Sequence, residues 1–92
     1  MMQRKNKEKG AGVVLFRLVD NKEKILVLLK HNGMFDIPKG HQDLKDLNVF
    51  FTAQRECFEE TQIFISPTDL LTKDSYTNSN MTIFCARTNQ EL

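Results

Sequence analysis

Two short apolar segments separated by a turn signal constrain the fold of this chain most strongly. Residues 10–19 and 24–30 are both rich in valine and leucine. Asp20 and Asn21 lie between them, and these residue types tolerate the backbone dihedral angles of tight turns. The pattern predicts a β-hairpin whose second strand is buried on both faces or nearly so.

The segments after this hairpin predict a loop, a helix, a brief strand and a second hairpin. Residues 31–46 contain glycine and proline without apolar periodicity, which predicts a surface loop. Residues 63–66 are mostly apolar up to a Ser-Pro step, which predicts a brief strand. Residues 70–77 and 81–87 flank an Asn-Ser-Asn turn, and this arrangement predicts the second hairpin. Together these elements predict one α/β domain of the α+β type.

The helix predicted between the loop and the brief strand covers residues 47–61. Asp46 or Asn48 can cap its start, because either side chain can accept a hydrogen bond from a free backbone N–H. A helical wheel divides it into an apolar side and an acidic side. The apolar side has Phe50, Phe51, Ala53, Cys57 and Phe58, and the acidic side has Glu56, Glu59 and Glu60.

Length and composition allow one small globular domain. The chain has 92 residues, of which 40% are hydrophobic and 27% charged, with a formal net charge of +1. This balance excludes a disordered chain and argues against a protein that coats nucleic acid. Residues 1–9 contain four basic residues and one acidic residue, which predicts a flexible basic tail, with contact to a polyanion as the alternative. Residues 10–92 form the domain.

Several features bear on cellular location. No segment reaches the roughly 18 apolar residues of a membrane span, and no apolar signal segment follows the basic start. Cys57 and Cys85 form no C-x-x-C pair and predict buried, unpaired thiols. We therefore expect a cytoplasmic protein without a membrane partner.

The glutamates of the predicted helix repel one another, because like charges three or four residues apart destabilise a helix by roughly 0.2–0.5 kcal/mol per pair. A hard divalent cation such as Mg²⁺ would neutralise them, although such a patch taken alone is more often solvated surface. The preceding Pro38-Lys39-Gly40 favours the cation, since it offers a glycine that permits close backbone approach and a lysine suited to a phosphate. Gly40 stands fifteen residues before Arg55, which opens the acidic run.

At these residues the sequence resembles the Nudix hydrolase family, whose signature is G-x5-E-x7-R-E-U-x-E-E-x-G-U with U an aliphatic residue. The segment in question is residues 38–63, and the preceding FDIPKGH, with Phe35 in the aromatic position, also resembles many members. The matching residues are Gly40, Arg55, Glu56, Cys57 (loosely), Glu59, Glu60 and Ile63.

The chain departs from the family pattern at three places. Asp46 stands where the first glutamate is expected, and one extra residue separates Gly40 from Arg55. Gln62 replaces the closing glycine, so we expect a frayed or distorted helix end. Family members usually continue into a C-terminal helix, and we expect a Nudix-like mixed sheet with the catalytic loop and helix but without that element.

The resemblance implies Mg²⁺- or Mn²⁺-dependent hydrolysis of a nucleoside diphosphate linked to another group. It implies that Glu59 and Glu60 are the main metal ligands, and that Glu59 also belongs to the catalytic group. Glu56 is a further ligand or the base that activates water, and the Gly40 carbonyl is a possible addition to the metal shell. Carboxylates near a pyrophosphate require such a cation, because without it their negative charges would repel the pyrophosphate.

The resemblance also implies roles for three cationic or polar residues. Arg55 would orient a glutamate by a charge-assisted hydrogen bond and so belongs to the catalytic group, and Lys39 would neutralise phosphate charge. His41 is a second candidate for phosphate contact.

The FDIPKGH segment is most similar to diadenosine-polyphosphate hydrolases, which implies a dinucleoside polyphosphate or related nucleotide as substrate. A capped or triphosphorylated RNA 5′ end is a further possibility because of the basic tail. The alternatives are a truncated or degenerate Nudix module that binds a nucleotide or a protein without hydrolysis, and an α/β domain with an acidic surface. A homodimer is also possible, since a second copy could cover a small core.

Overall fold

The computed structural model describes residues 6–71, 76–78 and 80–89. Its seven described strands and one described α-helix follow the order β1 (Asn6–Val19), β2 (Lys22–Ile25), β3 (Leu28–Leu29), β4 (Phe35–Asp36), β5 (Lys39–Gln42), α1 (Val49–Thr61), a 3-10 turn (Pro67–Asp69), β6 (Tyr76–Asn78) and β7 (Met81–Arg87). None of the helices in these residues is long and apolar enough to cross a membrane.

Strand β1 organises the main sheet because it pairs with three other strands. It is antiparallel to β2 and β5 and parallel to β7, and β6 is antiparallel to β7. Strands β3 and β4 form a separate two-stranded sheet. The fold is therefore a mixed sheet with one helix, as the α+β prediction required.

The first hairpin is confirmed, but the extent and burial of its strands differ from the prediction. Asp20 and Asn21 both adopt positive φ angles, of 54° and 64°, as a two-residue turn of type I′ requires. The second segment is not one buried strand, because β2 ends at Ile25 and every residue of β2 is exposed at the sheet edge. The predicted start of β1 at residue 10 is also wrong, since Asn6 already pairs with Gln42 beyond a register shift.

Two other predictions of local structure are wrong. Residues 31–46 are not a plain loop, because they contain β4 and β5, and β5 forms by pairing with β1. Residues 63–66 form no strand, yet Ile63 and Ile65 are buried in the core. The second hairpin is confirmed as β6 and β7, while residues 72–75 and 79 of that prediction lie outside the described part.

Helix α1 begins at Val49 and packs against β1, β5 and β7. Asn48 is its N-cap, with Oδ1 accepting a hydrogen bond of 3.1 Å from the Phe51 N–H. The core between helix and sheet consists of Val13, Leu15, Cys57, Ile63, Ile65 and Ala86. Cys57 is buried as predicted, and Cys85 is only half-buried.

The helix end does not fray as expected. Gln62 itself adopts the left-handed conformation, with φ 63° and ψ 17°, and its N–H donates to the Phe58 carbonyl at 2.8 Å. The hydroxyl of Thr61 accepts from the Ile63 N–H at 3.0 Å and supports the turn. The glutamine thus supplies the cap geometry usually given by glycine, at some cost in backbone strain.

The helix is rotated relative to the predicted wheel. Phe51 and Phe58, expected on the core side, are 40% and 50% exposed, whereas Glu56 of the expected acidic side is only 6% exposed. Ala53 and Cys57 face the core as predicted. The sheet therefore covers a different stripe of the helix, one that includes a carboxylate.

Candidate active site

The burial of Glu56 depends on the absence of a side chain at Gly40 on β5. A Cβ added to Gly40 would lie 2.1 Å from Glu56 Cδ and 2.2 Å from its Oε2. These distances are too short for any real contact, so the carboxylate occupies the volume that a side chain at Gly40 would fill. Pairing of β5 with β1 holds Gly40 opposite Ala11 and thereby fixes this cradle against the helix.

Arg55 joins the predicted acids to the loop before the helix. Its Nη1 donates to Glu56 Oε2 at 3.2 Å and to Glu59 Oε1 at 3.3 Å. Its Nε donates to Asp46 Oδ1 at 3.2 Å, and its Nη2 donates to Asp46 Oδ2 at 2.9 Å and to the His41 carbonyl at 3.1 Å. The hydrogen bond to Asp46, with the charges of the three acids, raises the pKa of Arg55, so it remains a cation.

Asp46 stands where the Nudix signature has its first glutamate. Its side chain is 7% exposed, and its Oδ2 also accepts from Thr52 Oγ1 and from the Asp43 N–H, each at 2.9 Å. Burial alone would raise the pKa of Asp46, but the hydrogen bond from Arg55 and these two others outweigh burial and lower the pKa. The shorter acid therefore occupies the first acidic position of the signature as the anchor of Arg55.

Glu60 lies beside Lys39, apart from the Arg55 cluster. Its Oε1 accepts a hydrogen bond of 3.0 Å from the Lys39 backbone N–H. Partial burial of its carboxylate and the negative charge of Glu56 raise the pKa of Glu60, despite that hydrogen bond. Glu56 and Glu60 thus place two like charges in the same part of the site.

Lys39 has a partner that sequence reasoning missed. Its Nζ lies 3.0 Å from Asp36 Oδ2, which Lys30 Nζ also approaches at 3.4 Å. Burial would raise the pKa of Asp36, but the two lysines and the Ile37 N–H lower it. Asp36 lies opposite Leu28 in the two-stranded sheet. It lines a small cleft of about 90 Å³, together with Lys30, Lys39 and Glu60. No sequence signal linked Lys30 to this site.

The predicted site residues thus form two neighbouring groups. Arg55, Glu56 and Glu59 are joined directly, Glu60 is joined to Lys39, and the exposed His41 contributes its backbone carbonyl. Within the described ranges, no three acidic, histidine or cysteine side chains converge as a metal site would need. The carboxylate oxygens are nevertheless the donors that Mg²⁺ prefers, and Glu56 is buried beside a second, repelled acid. The chemistry of this donor set fits a hard cation, and Glu59 and Glu60 are both exposed, so their side chains can adopt other rotamers.

Comparison with known proteins decides the family. The family model of the NUDIX domain matches residues 8–91. The chain belongs to the Nudix family. No curated protein matches it at a significant level.

Two solved structures resemble this Nudix domain. A crystal structure of C. elegans Ap4A hydrolase has a TM-score of 0.68 at 26% identity, covering 89% of this chain and 68% of the hydrolase. A binary complex of a C. elegans Ap4A hydrolase has a TM-score of 0.64 at 24% identity, covering 89% of this chain and 66% of that one. The chain therefore spans about two thirds of these relatives. Both neighbours share the fold of this Nudix domain.

Proposed function

We propose that this chain hydrolyses a pyrophosphate linkage in a nucleoside diphosphate linked to another group, with Mg²⁺ or Mn²⁺ as cofactor. The observation that carries the proposal is the arginine-centred cluster, in which Arg55 holds Glu56 and Glu59 while Gly40 leaves room for the Glu56 carboxylate. The family match and the Ap4A hydrolase structures support a dinucleoside polyphosphate or a related nucleotide as substrate. A cytoplasmic location stays a prediction.

Glu56, Glu59 and Glu60 would hold the metal, and the Gly40 carbonyl is a candidate for a further ligand. When bound, the metal would screen the phosphate charge, polarise phosphorus and lower the pKa of a bound water. Glu56, which is buried and bonded to Arg55, would act either as a further metal ligand or as the base that accepts a proton from that water.

Arg55 and Lys39 would complete the site. The guanidinium is anchored by Asp46, so it can restrain Glu56 and Glu59 without moving itself. Lys39 would exchange its ion pair with Asp36 for a phosphate oxygen, since that pair is partly exposed and weak. His41 stays a candidate for phosphate contact.

The test is release of phosphate-containing product, with and without Mg²⁺. The panel comprises dinucleoside polyphosphates, nucleotide sugars, nucleoside triphosphates, capped or triphosphorylated RNA, and diphosphoinositol phosphates. The Glu59→Gln/Glu60→Gln double variant should lose at least about a hundredfold in kcat, whereas Glu23→Gln, remote from the site, should keep its activity. Near-normal turnover by the double variant would contradict the proposal.

One observation favours a second candidate, a Nudix module that binds a nucleotide without hydrolysing it. Among the described residues, the three glutamates of α1 do not converge on one point, and Arg55 contacts two of them. Calorimetry that detects nucleotide binding, together with no product release from the panel, would favour this module over the enzyme.

A further inference from the structure

A concave, mostly apolar surface lies on the side of α1 that faces away from the sheet. It has a volume of about 410 Å³ and is lined by Gln54, Arg55, Phe58, Glu59 and Phe64. Phe58 is 50% and Phe64 54% exposed, so two aromatic rings are presented to solvent. Aromatic rings exposed together at a concavity are typical of a binding site, because a contiguous apolar surface in water is unfavourable unless a ligand or partner covers it.

The size of this pocket suits a small planar ligand better than a protein. A phenylalanine side chain buries roughly 200 Å², so two half-exposed rings offer roughly 200 Å² together. A stable protein interface needs roughly 800 Å² from each partner. The volume instead lies within the roughly 300–1,000 Å³ range of small-molecule sites.

Gln54 gives the pocket a polar group of fixed orientation. Its Nε2 donates to the Ile65 carbonyl at 2.7 Å, and because that carbonyl requires a donor, the amide cannot be reversed. The Gln54 Oε1 has no protein partner within the described part of the chain. The available Oε1 can accept a hydrogen bond from the exocyclic amino group of a base, as the glutamine oxygen does with the N6 amino group of adenine.

The pocket adjoins the proposed active site through two shared residues. Arg55 and Glu59 line the pocket and also form the ion pair of the cluster, with Arg55 Nη1 3.3 Å from Glu59 Oε1. A nucleotide whose base occupies the pocket would therefore place its phosphates beside the Arg55–Glu59 ion pair, at the edge of the proposed active site. Stacking on phenylalanine would hold the base.

We infer that this pocket binds the base of a nucleotide, with Phe58 and Phe64 contacting its faces and Gln54 accepting a hydrogen bond from its amino group. The inference rests on the proposed function for the identity of the ligand. It assigns base recognition to the outward side of the helix that carries the catalytic acids. Phe58 and Gln54 are then specificity-determining residues.

Binding is tested with adenosine 5′-monophosphate, which has no pyrophosphate bond, so the measurement does not require hydrolysis. We expect this probe to shift the NMR signals of the Gln54 side-chain amide and of the Phe58 and Phe64 rings. Ribose 5-phosphate, which lacks the base, should leave these signals in place. Base-dependent shifts confined to other residues would overturn the inference.

Variants separate stacking from hydrogen bonding. Phe58→Leu should weaken adenosine 5′-monophosphate at least about fivefold, because it removes the ring and keeps an apolar side chain. Phe51→Leu is the matched control, since Phe51 is 40% exposed on the same helix but does not line the pocket. Gln54→Met should abolish any preference for adenosine 5′-monophosphate over purine riboside 5′-monophosphate, which lacks the amino group. Equal affinities of Phe58→Leu and the unchanged chain would overturn the inference.

Two outcomes separate this inference from the proposed function. Base-dependent binding in the pocket without hydrolysis of any panel substrate would leave the pocket in place and contradict the enzyme. Hydrolysis of a panel substrate with the base bound elsewhere would support the enzyme and overturn the inference about the pocket. Sedimentation that shows a dimer disrupted by Phe58→Leu would assign the surface to a second copy and overturn the inference.

Discussion

The carboxylate of Asp46 accepts two hydrogen bonds from the guanidinium of Arg55, Nε to Oδ1 at 3.2 Å and Nη2 to Oδ2 at 2.9 Å. This two-point contact joins the loop before α1 to the middle of the helix. It leaves Arg55 Nη1 directed at Glu56 and Glu59. The geometry of the acids therefore depends on a residue that is not one of them.

Asp46→Asn should lower the free energy of unfolding by about 2 kcal/mol, because the partly buried Arg55 guanidinium loses the most buried of its three carboxylate partners. Chemical denaturation measures this change. Glu23→Gln is the control, since the Glu23–Arg87 ion pair is about half exposed and should contribute under about 1 kcal/mol. Equal losses from the two substitutions would show that the Asp46 contact is no stronger than a surface ion pair.

The Asp46 contact should also make stability depend on pH in the acid range. The pKa of Asp46 is lower in the folded chain than in the unfolded chain, so its stabilisation is complete above the unfolded value of about 4. It is lost as the pH falls through the lower, folded pKa. The difference in unfolding free energy between the unchanged chain and Asp46→Asn should therefore shrink between pH 6 and pH 3. A difference that stays constant over this interval would contradict the assignment.

Gly40→Ala should destabilise the fold by about 2 kcal/mol or more, because the new Cβ overlaps the Glu56 carboxylate. If that overlap is the cause, adding Glu56→Ala should recover part of the loss. A double-mutant cycle by chemical denaturation measures the coupling. Gly33→Ala is the comparison, since its Cβ meets open space and only its positive φ of 84° opposes the change. Additive effects at Gly40 and Glu56 would disprove the steric explanation.

Gln62→Gly should stabilise the chain by about 1 kcal/mol, because glycine adopts the left-handed cap without strain. The measurement is the thermal or chemical unfolding midpoint. Gln62→Ala keeps the strain and should give no such gain. An equal increase in both variants would indicate that the glutamine side chain, and not its backbone conformation, opposes folding.

Features encoded by neighbouring residues were predictable. The turn at Asp20 and Asn21, the helix from about residue 48 and the hairpin of β6 and β7 all follow from local turn chemistry, capping and periodicity. The run from Arg55 to Glu60, together with Gly40 fifteen residues before Arg55, was sufficient to indicate the Nudix family. These features depend on a few neighbouring residues or on a known sequence pattern, so they can be predicted without knowing how the elements pack.

Features that depend on distant partners were not predictable. Strand β5 exists because it pairs with β1, about thirty residues earlier in the sequence, and this pairing brings Gly40 to the helix. The wheel could not show that Glu56 is buried and Phe58 exposed, since periodicity finds the faces of a helix and not the surface that covers each one.

Local sequence thus suffices for the hairpin turns, the helix and the identities of the catalytic candidates. Long-range packing establishes that Asp46 anchors Arg55, that Glu56 lies in the cradle of Gly40, and that Glu60 accepts a hydrogen bond from the Lys39 backbone N–H. The physical reason is that a carboxylate acquires its burial, partners and pKa from elements far away in the chain, which come together only when the sheet and helix pack.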